Sequence, residues 1–292
     1  MEDRTAGLLN GFLGVAIFSG SLPATRVAVL AFDPLFLTVA RAAIAGLIGV
    51  ALLALARQKW PPLRDLAAFT VVALGVVVGF PLLTALALRS ITSAHATTFI
   101  GLLPLATAIF AVLRSHERPK LPFWLFSIAG SALVAGFALF QGGSGNAVGD
   151  SLMIAAILAC GLGYAEGARL SRLHGGWQVI SWALVLALPV MLPLAVVWAP
   201  GDWTGVDWPA VSALAYVSVF SMMVGFVFWY RGLALGGTAS VGQLQLLQPF
   251  MGLVLAGLIL KEAISWPTLA VPPRASPRYQ KTKPTIIENT ET

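Results

Sequence analysis

Three glutamines interrupt an otherwise apolar run: Gln243, Gln245 and Gln248 fall between Thr238 and Leu260. An amide carried into hydrocarbon without a partner costs roughly 2–7 kcal/mol, so each must face protein or water. Gln245 and Gln248 share a helical face at three-residue spacing and could hydrogen-bond a carboxylate or an ammonium. Hydrogen bonds between helices are an equally good use of them. Arg41, within Leu37–Ala45, stands roughly 10 Å inside another apolar run, where a charge persists only beside a partner or a watery cavity. A structural or gating role is expected for it. Pro81, Pro104 and Pro249 fall near the middle of apolar runs, and a proline-broken helix exposes carbonyls that an ammonium can use; a kink that serves packing alone is the plainer alternative. Phe80, Phe99, Tyr164 and Trp229 could sandwich an apolar or aromatic side chain, with the hydroxyls of Thr84 and Thr98 beside them. His95 reads as a satisfied polar group or gate residue, because no His, Cys or Asp partner lies at ligand spacing.

These groups suit noncovalent binding of a small zwitterion better than catalysis. The chain carries no Ser–His–Asp order that would converge, no HisGluxxHis, no paired intramembrane aspartates and no phosphate loop. Neither a metal nor a cofactor is expected. The apolar runs hold no lysine, which argues against phosphorylated or nucleotide-linked solutes.

The elements that must position these residues are membrane helices. With 58% hydrophobic and 10% charged residues, 292 residues have too little polar surface to cover a soluble globule. A membrane helix needs roughly 20 mostly apolar residues. Nine stretches qualify: 6–30, 34–56, 66–88, 92–113, 121–140, 150–170, 177–199, 209–230 and 238–260, the second and sixth weakened by Arg41 and Glu166. The first is expected to be an uncleaved anchor. Trp60, Trp177, Trp203, Trp208 and Trp266 sit at span ends as interfacial anchors. Gly75 with Gly79, and Gly163 with Gly167, should permit close helix approach. Cys160 is the single cysteine and reads as a packing residue. The formal charge of +6 is scattered through short connections, so nucleic acid is not an expected partner.

With a cytoplasmic N-terminus, the inside segments carry Arg4, Arg57, Lys59, Arg64, Arg114, Arg118, Lys120, Arg169, Arg172 and Arg231, and the outside ones only Arg26, Arg89 and Lys261. That bias favours the N-terminus inside. The connections 141–149 and 200–208, which lack Lys and Arg, then fall outside. Glu166 and Arg169, one turn apart, should pair at the inner interface.

The chain also repeats itself at an offset of 145 residues: Ala94 matches Ala239, Pro104 matches Pro249 and Glu117 matches Glu262. Five spans precede the Gly-rich connection 141–149, and an odd number reverses the second copy. An all-α integral membrane bundle of ten helices is expected, from two inverted five-helix repeats. The first is 1–140, the second 150–271, joined by an outer linker at 141–149. The tenth span does not follow Glu262 in recognisable form. After Val271 the chain turns into a polar, basic tail, 272–292, so a truncated or altered tenth helix is expected.

The two motif copies, SAHATTFIGLLP from Ser93 to Pro104 with Glu117, and TASVGQLQLLQP from Thr238 to Pro249 with Glu262, together with Arg41, resemble the EamA family of the drug/metabolite transporter superfamily. The resemblance covers residues 6 to about 270 and, within the family, is greatest to YddG-type exporters of aromatic and other amino acids. It implies alternating-access export of neutral amino acids or related small metabolites across the cytoplasmic membrane, with amino-acid substrate and membrane lipid as partners. A monomer and facilitated movement are expected. A proton-coupled drug or metabolite efflux carrier, and a membrane scaffold or receptor, are the alternative readings.

Overall fold

A computed structural model describes residues 2–91, 96, 99–115, 117, 119–140, 146–248, 250–252 and 255, and all regular structure among them is helical. Helix α1, Glu2–Ser19, breaks at Gly20 and continues as α2, Ser21–Ala28. A Cβ on Gly20 would meet the Tyr216 hydroxyl, which donates to the Ile17 carbonyl at 2.7 Å, so the break leaves room for a side chain of another helix. Helix α3, Pro34–Leu55, starts where the Asp33 carboxylate accepts from the Leu35 N–H at 2.8 Å, and it runs unbroken past Arg41.

The third span joins α4, Leu63–Val72, a π-helical segment, Ala73–Gly79, and α5, Phe80–Ala87. The π segment lies directly before Pro81, whose missing N–H falls in the first turn of α5. Helix α6 is Leu103–Ser115 and α7 is Leu121–Phe140. Helix α8, Ala147–His174, is capped by the Asn146 side chain, which accepts from the N–H groups of Val148 and Gly149, and it ends at Gly175 with φ +93°. Helix α9 is Gly176–Val197. The eighth span repeats the pattern of the third: α10, Trp208–Ala215, a π segment, Tyr216–Gly225, and α11, Phe226–Gly236. Helix α12, Thr238–Gly242, then tightens into a 3₁₀ turn, Gln243–Leu247.

Among the described residues six helices are long and apolar enough to cross a bilayer, with shorter apolar helices at Leu103–Arg114 and Leu121–Leu133. The chain is therefore an all-helical membrane-spanning protein. Two expectations need correction. Pro104 does not kink the middle of a helix over 92–113: Gly101 and Leu102 form a turn, α6 begins at Leu103, and the proline sits in its first turn, where a missing N–H costs nothing. The connection 141–149 does not last to Gly149, because Asn146 starts α8 at Ala147. Residues 141–145, Glu262 and the tail 272–292 lie outside the described residues.

The 145-residue offset recurs in the elements. Helices α1 and α8 begin that far apart, at Glu2 and Ala147, as do α4 and α10, at Leu63 and Trp208; both π segments sit at matching places. The closest packing follows the same pairing. Helix α3 lies antiparallel on α9, with Gly46 against Leu184 and Leu188 and Gly49 against Ser181. Helix α1 lies antiparallel on α11, so tightly that a Cβ on Gly232 would stand 2.5 Å from the Gly11 nitrogen. Helix α8 lies against the third span with Gly75 facing Gly163 and Ala159. The glycine pairs thus serve the close approach expected of them.

Candidate functional site

Mid-bundle, aromatic residues of three helices meet. Tyr164 of α8 lies 5.3 Å from Trp229 and 5.9 Å from Phe226 between ring centres, and Phe18 of α1 closes the group at 5.0 Å from Phe226 and 6.2 Å from Trp229. Burial of these rings is nearly complete. Gln245, on the 3₁₀ turn, is 0% exposed with its side chain near Tyr164, and among the described residues neither of its amide atoms makes a well-formed hydrogen bond. Among the same residues the Trp229 Nε1, the hydroxyls of Thr84 and Thr107, Gln243 Nε2 and Gln248 Oε1 are likewise buried without partners.

A native interior satisfies the large majority of its buried polar atoms, so these unpaired amides and hydroxyls are candidates for contact with a solute or water. Of the expected binding residues, Tyr164, Trp229 and Gln245 are brought together here. Thr84 is buried on α5, Phe80 and Phe99 are half-buried against the main core, and Gln248 is half-buried one turn beyond Gln245. Thr98, His95 and Pro249 lie outside the described residues. Thr107 was not singled out by the sequence reasoning; it lies between α8 and α12, beside Gly161 and Gly242. A lone threonine in an apolar helix carries no spacing signal.

Arg41 is also buried. Among the described residues its guanidinium reaches only the Ser221 hydroxyl, at 3.5 Å, and its Nε has no partner. Ser21 donates to the same Ser221 oxygen at 2.7 Å.

A third group of polar residues gathers at the C-terminal end of α8. Glu166, 0% exposed, accepts from Arg114 at 2.8 Å and from Arg169 at 2.6 Å, so the expected pair with Arg169 has a second partner on α6. Glu117, in the α6–α7 connection, accepts from Arg172 and from the backbone N–H groups of Thr238 and Ala239 at 3.1 and 3.0 Å. The acid that ends the first motif copy thereby caps the helix that opens the second. Burial raises the Glu117 carboxyl, but the N–H of Ala239, the Thr238 groups and Arg172 outweigh it and hold the carboxyl below its ordinary range. His174 lies 2.9 Å from Asp65 and against the Phe69 ring. Two surface depressions open at this same end. One, of about 470 Å³, is lined by Leu52, Leu55, Ala56 and Trp177; the other, of about 350 Å³, borders Ser171, Gln178 and Arg231. None of the expected binding residues lines either.

The EamA-like transporter family matches the chain twice, over residues 5–139 and 147–271. A protein of Bacillus subtilis (strain 168) named "Uncharacterized transporter YdeK" is 65% identical over 271 residues, covering 93% of this chain and 94% of its own. A crystal structure at 20% identity superposes with a TM-score of 0.72 over 91% of this chain and 92% of that one, which supports the fold. Membrane-spanning helices, two family matches covering nearly the whole chain and a 65% identical relative named a transporter lead to one conclusion: the protein belongs to the EamA-like transporter family and is an integral membrane transporter, not an enzyme.

Proposed function

We propose that the protein moves neutral amino acids, aromatic ones among them, across the cytoplasmic membrane by alternating access, with its N-terminus inside. The halves that would rock against each other are inverted five-helix repeats. The antiparallel contact of α3 with α9, and the matched contacts of α1 with α11 and α8 with the third span, support that reading. The observation that carries it is Gln245: an amide with no exposure and, among the described residues, no well-formed hydrogen bond, near Tyr164 of the cluster that Trp229 and Phe226 complete. An amino acid has the complementary chemistry, offering polar ends to the amides and hydroxyls and an apolar side chain to the rings.

The ion pairs at the end of α8 are the contacts that would part when the inner side opens. Movement is facilitated rather than proton-driven. Glu166, buried toward the C-terminal end of α8, is taken up by ion pairs with Arg114 and Arg169, which suits a structural contact better than a coupling site. The test is counterflow in proteoliposomes. Vesicles loaded with unlabelled phenylalanine should transiently concentrate labelled phenylalanine; protein-containing vesicles that behave like empty ones for every neutral amino acid would remove the assignment.

A further inference from the structure

Arg41 poses a chemical problem that the described contacts leave unsolved. Its guanidinium is permanently charged, sits within the membrane-spanning helix α3 and is 9% exposed. Among the described residues no carboxylate pairs with it. Among those residues one hydroxyl at 3.5 Å is its hydrogen-bonding environment, and Nε has no partner. Buried charges in proteins are paired or coordinated, and an ionisable group inside a membrane marks a solute or ion path by default.

The hydroxyl it reaches is not an ordinary one. Ser221 lies in the π segment Tyr216–Gly225, and its partner Ser21 is the first residue of α2, just past the break at Gly20. Both therefore sit where regular helix is interrupted, on helices of opposite halves of the chain, and π segments recur at functional sites. Ser21 is three residues from Phe18, and Ser221 is four residues from Gly225, against which the Phe18 ring packs. About 5 Å of helical rise thus separates the Arg41 group from the aromatic cluster. That span suits an aryl amino acid whose carboxylate and ring occupy the two places.

We propose that Arg41, with the hydroxyls of Ser221 and Ser21, is the binding site for the carboxylate of the transported solute. The guanidinium supplies the charge and a planar donor fork, and the serine pair supplies one further donor. This assigns Arg41 a direct role in place of the structural or gating one expected from sequence. It rests on the reading of the aromatic cluster as the solute's side-chain site.

The test is ligand-dependent thermal stabilisation of the purified full chain in detergent, with three probes: phenylalanine, 3-phenylpropionate, which lacks the ammonium, and phenethylamine, which lacks the carboxylate. The wild type should be stabilised by the first two and not by the third. Arg41→Gln should raise the half-maximal concentration of both carboxylates at least tenfold, Arg41→Lys less, and Ser221→Ala a few-fold. Should Arg41→Gln fail to fold, Arg41→Lys and Ser221→Ala carry the comparison. Phenethylamine stabilising as well as phenylalanine, carboxylates acting equally on Arg41→Gln, or no response of the wild type to any probe would overturn the proposal. Counterflow separates it from the functional reading. Transport of phenylalanine with an Arg41-independent response sinks only the carboxylate site. An Arg41-dependent response to phenylpropionate without transport of any amino acid keeps the site and sinks amino-acid export.

Discussion

Replacing Glu117 by Ala removes an acceptor that two backbone N–H groups and one guanidinium share. Thr238 and Ala239 donate to its two oxygens at 3.1 and 3.0 Å, and Arg172 pairs with it. Loss of a helix cap costs about 1 kcal/mol. The Arg172 contact is partly exposed and adds only ~0.2–1 kcal/mol. The sum, about 1–2 kcal/mol, corresponds to a factor of roughly 5–30 in an equilibrium constant. If the cap ties the α6–α7 connection to the start of α12 when the inner end is shut, that factor should appear in how often the end opens. Ser171 reports it: the side chain is buried, its hydroxyl has no partner among the described residues, and it borders a depression at the C-terminal end of α8. In a Ser171→Cys, Cys160→Ala background, Glu117→Ala should speed alkylation from the inner face of inverted vesicles about 5–30-fold. Glu117→Gln, which keeps an acceptor oxygen, should do less.

Acid should imitate the substitution. The folded carboxyl lies below its ordinary value of 4.5, so its contribution is present above that value and is lost as pH falls through the lower, folded one. The labelling difference between wild type and Glu117→Ala should therefore shrink as the pH is taken below 4.5. Equal labelling rates and equal melting temperatures at pH 7 would refute the idea that this cap closes the inner end.

Gly232→Val should fail to assemble, since its Cβ would stand 2.5 Å from the Gly11 nitrogen; size-exclusion chromatography after extraction checks this, with Gly201→Val, where nothing lies within 4 Å, as the tolerated control. Glu166→Gln leaves Arg114 and Arg169 without their shared acid; because both arginines keep access to water, the loss should fall below the ~3–5 kcal/mol of a fully buried pair and should show as a lowered melting temperature. A cysteine at the exposed Thr204, in a Cys160→Ala background, should label with an impermeant reagent in intact cells, as an outside 200–208 connection requires. Proteoliposomes holding equal phenylalanine on both sides under an imposed pH gradient should show no net accumulation; a sustained, ionophore-sensitive gradient would replace facilitated movement with proton coupling.

Six of the nine expected spans were legible because a bilayer demands continuous apolar runs, and Arg41 and Glu166 interrupt two of them in sequence without interrupting either helix. The repeat was legible from Pro104, Pro249, Glu117 and Glu262, and the element boundaries recur at the same offset. Glu166 with Arg169 followed from one-turn spacing. Arg114 did not, because a partner 52 residues away leaves no local pattern; the capping of Thr238 by Glu117 across 121 residues was hidden for the same reason. Gln245 stood out as a polar residue in an apolar run, but sequence alone left interhelical bonding and solute binding equal. Its burial without a well-formed hydrogen bond among the described residues is the ground for proposing the second. The π segments at 73–79 and 216–225 have no local signature beyond apolar residues and glycines, so the irregular backbone that positions Ser221 was not legible.

Cys160 permits the most direct test, because it is the chain's single cysteine, is buried, and lies one helical turn before Tyr164 of the aromatic cluster. If that cluster is a solute site exposed to each side in turn, wild-type protein in right-side-out and in inverted vesicles should react slowly with a small impermeant thiol reagent. Phenylalanine should slow both reactions over the concentration range in which it drives counterflow. Labelling from one side alone, or only after denaturation, would contradict an alternately accessible site at the centre of the bundle.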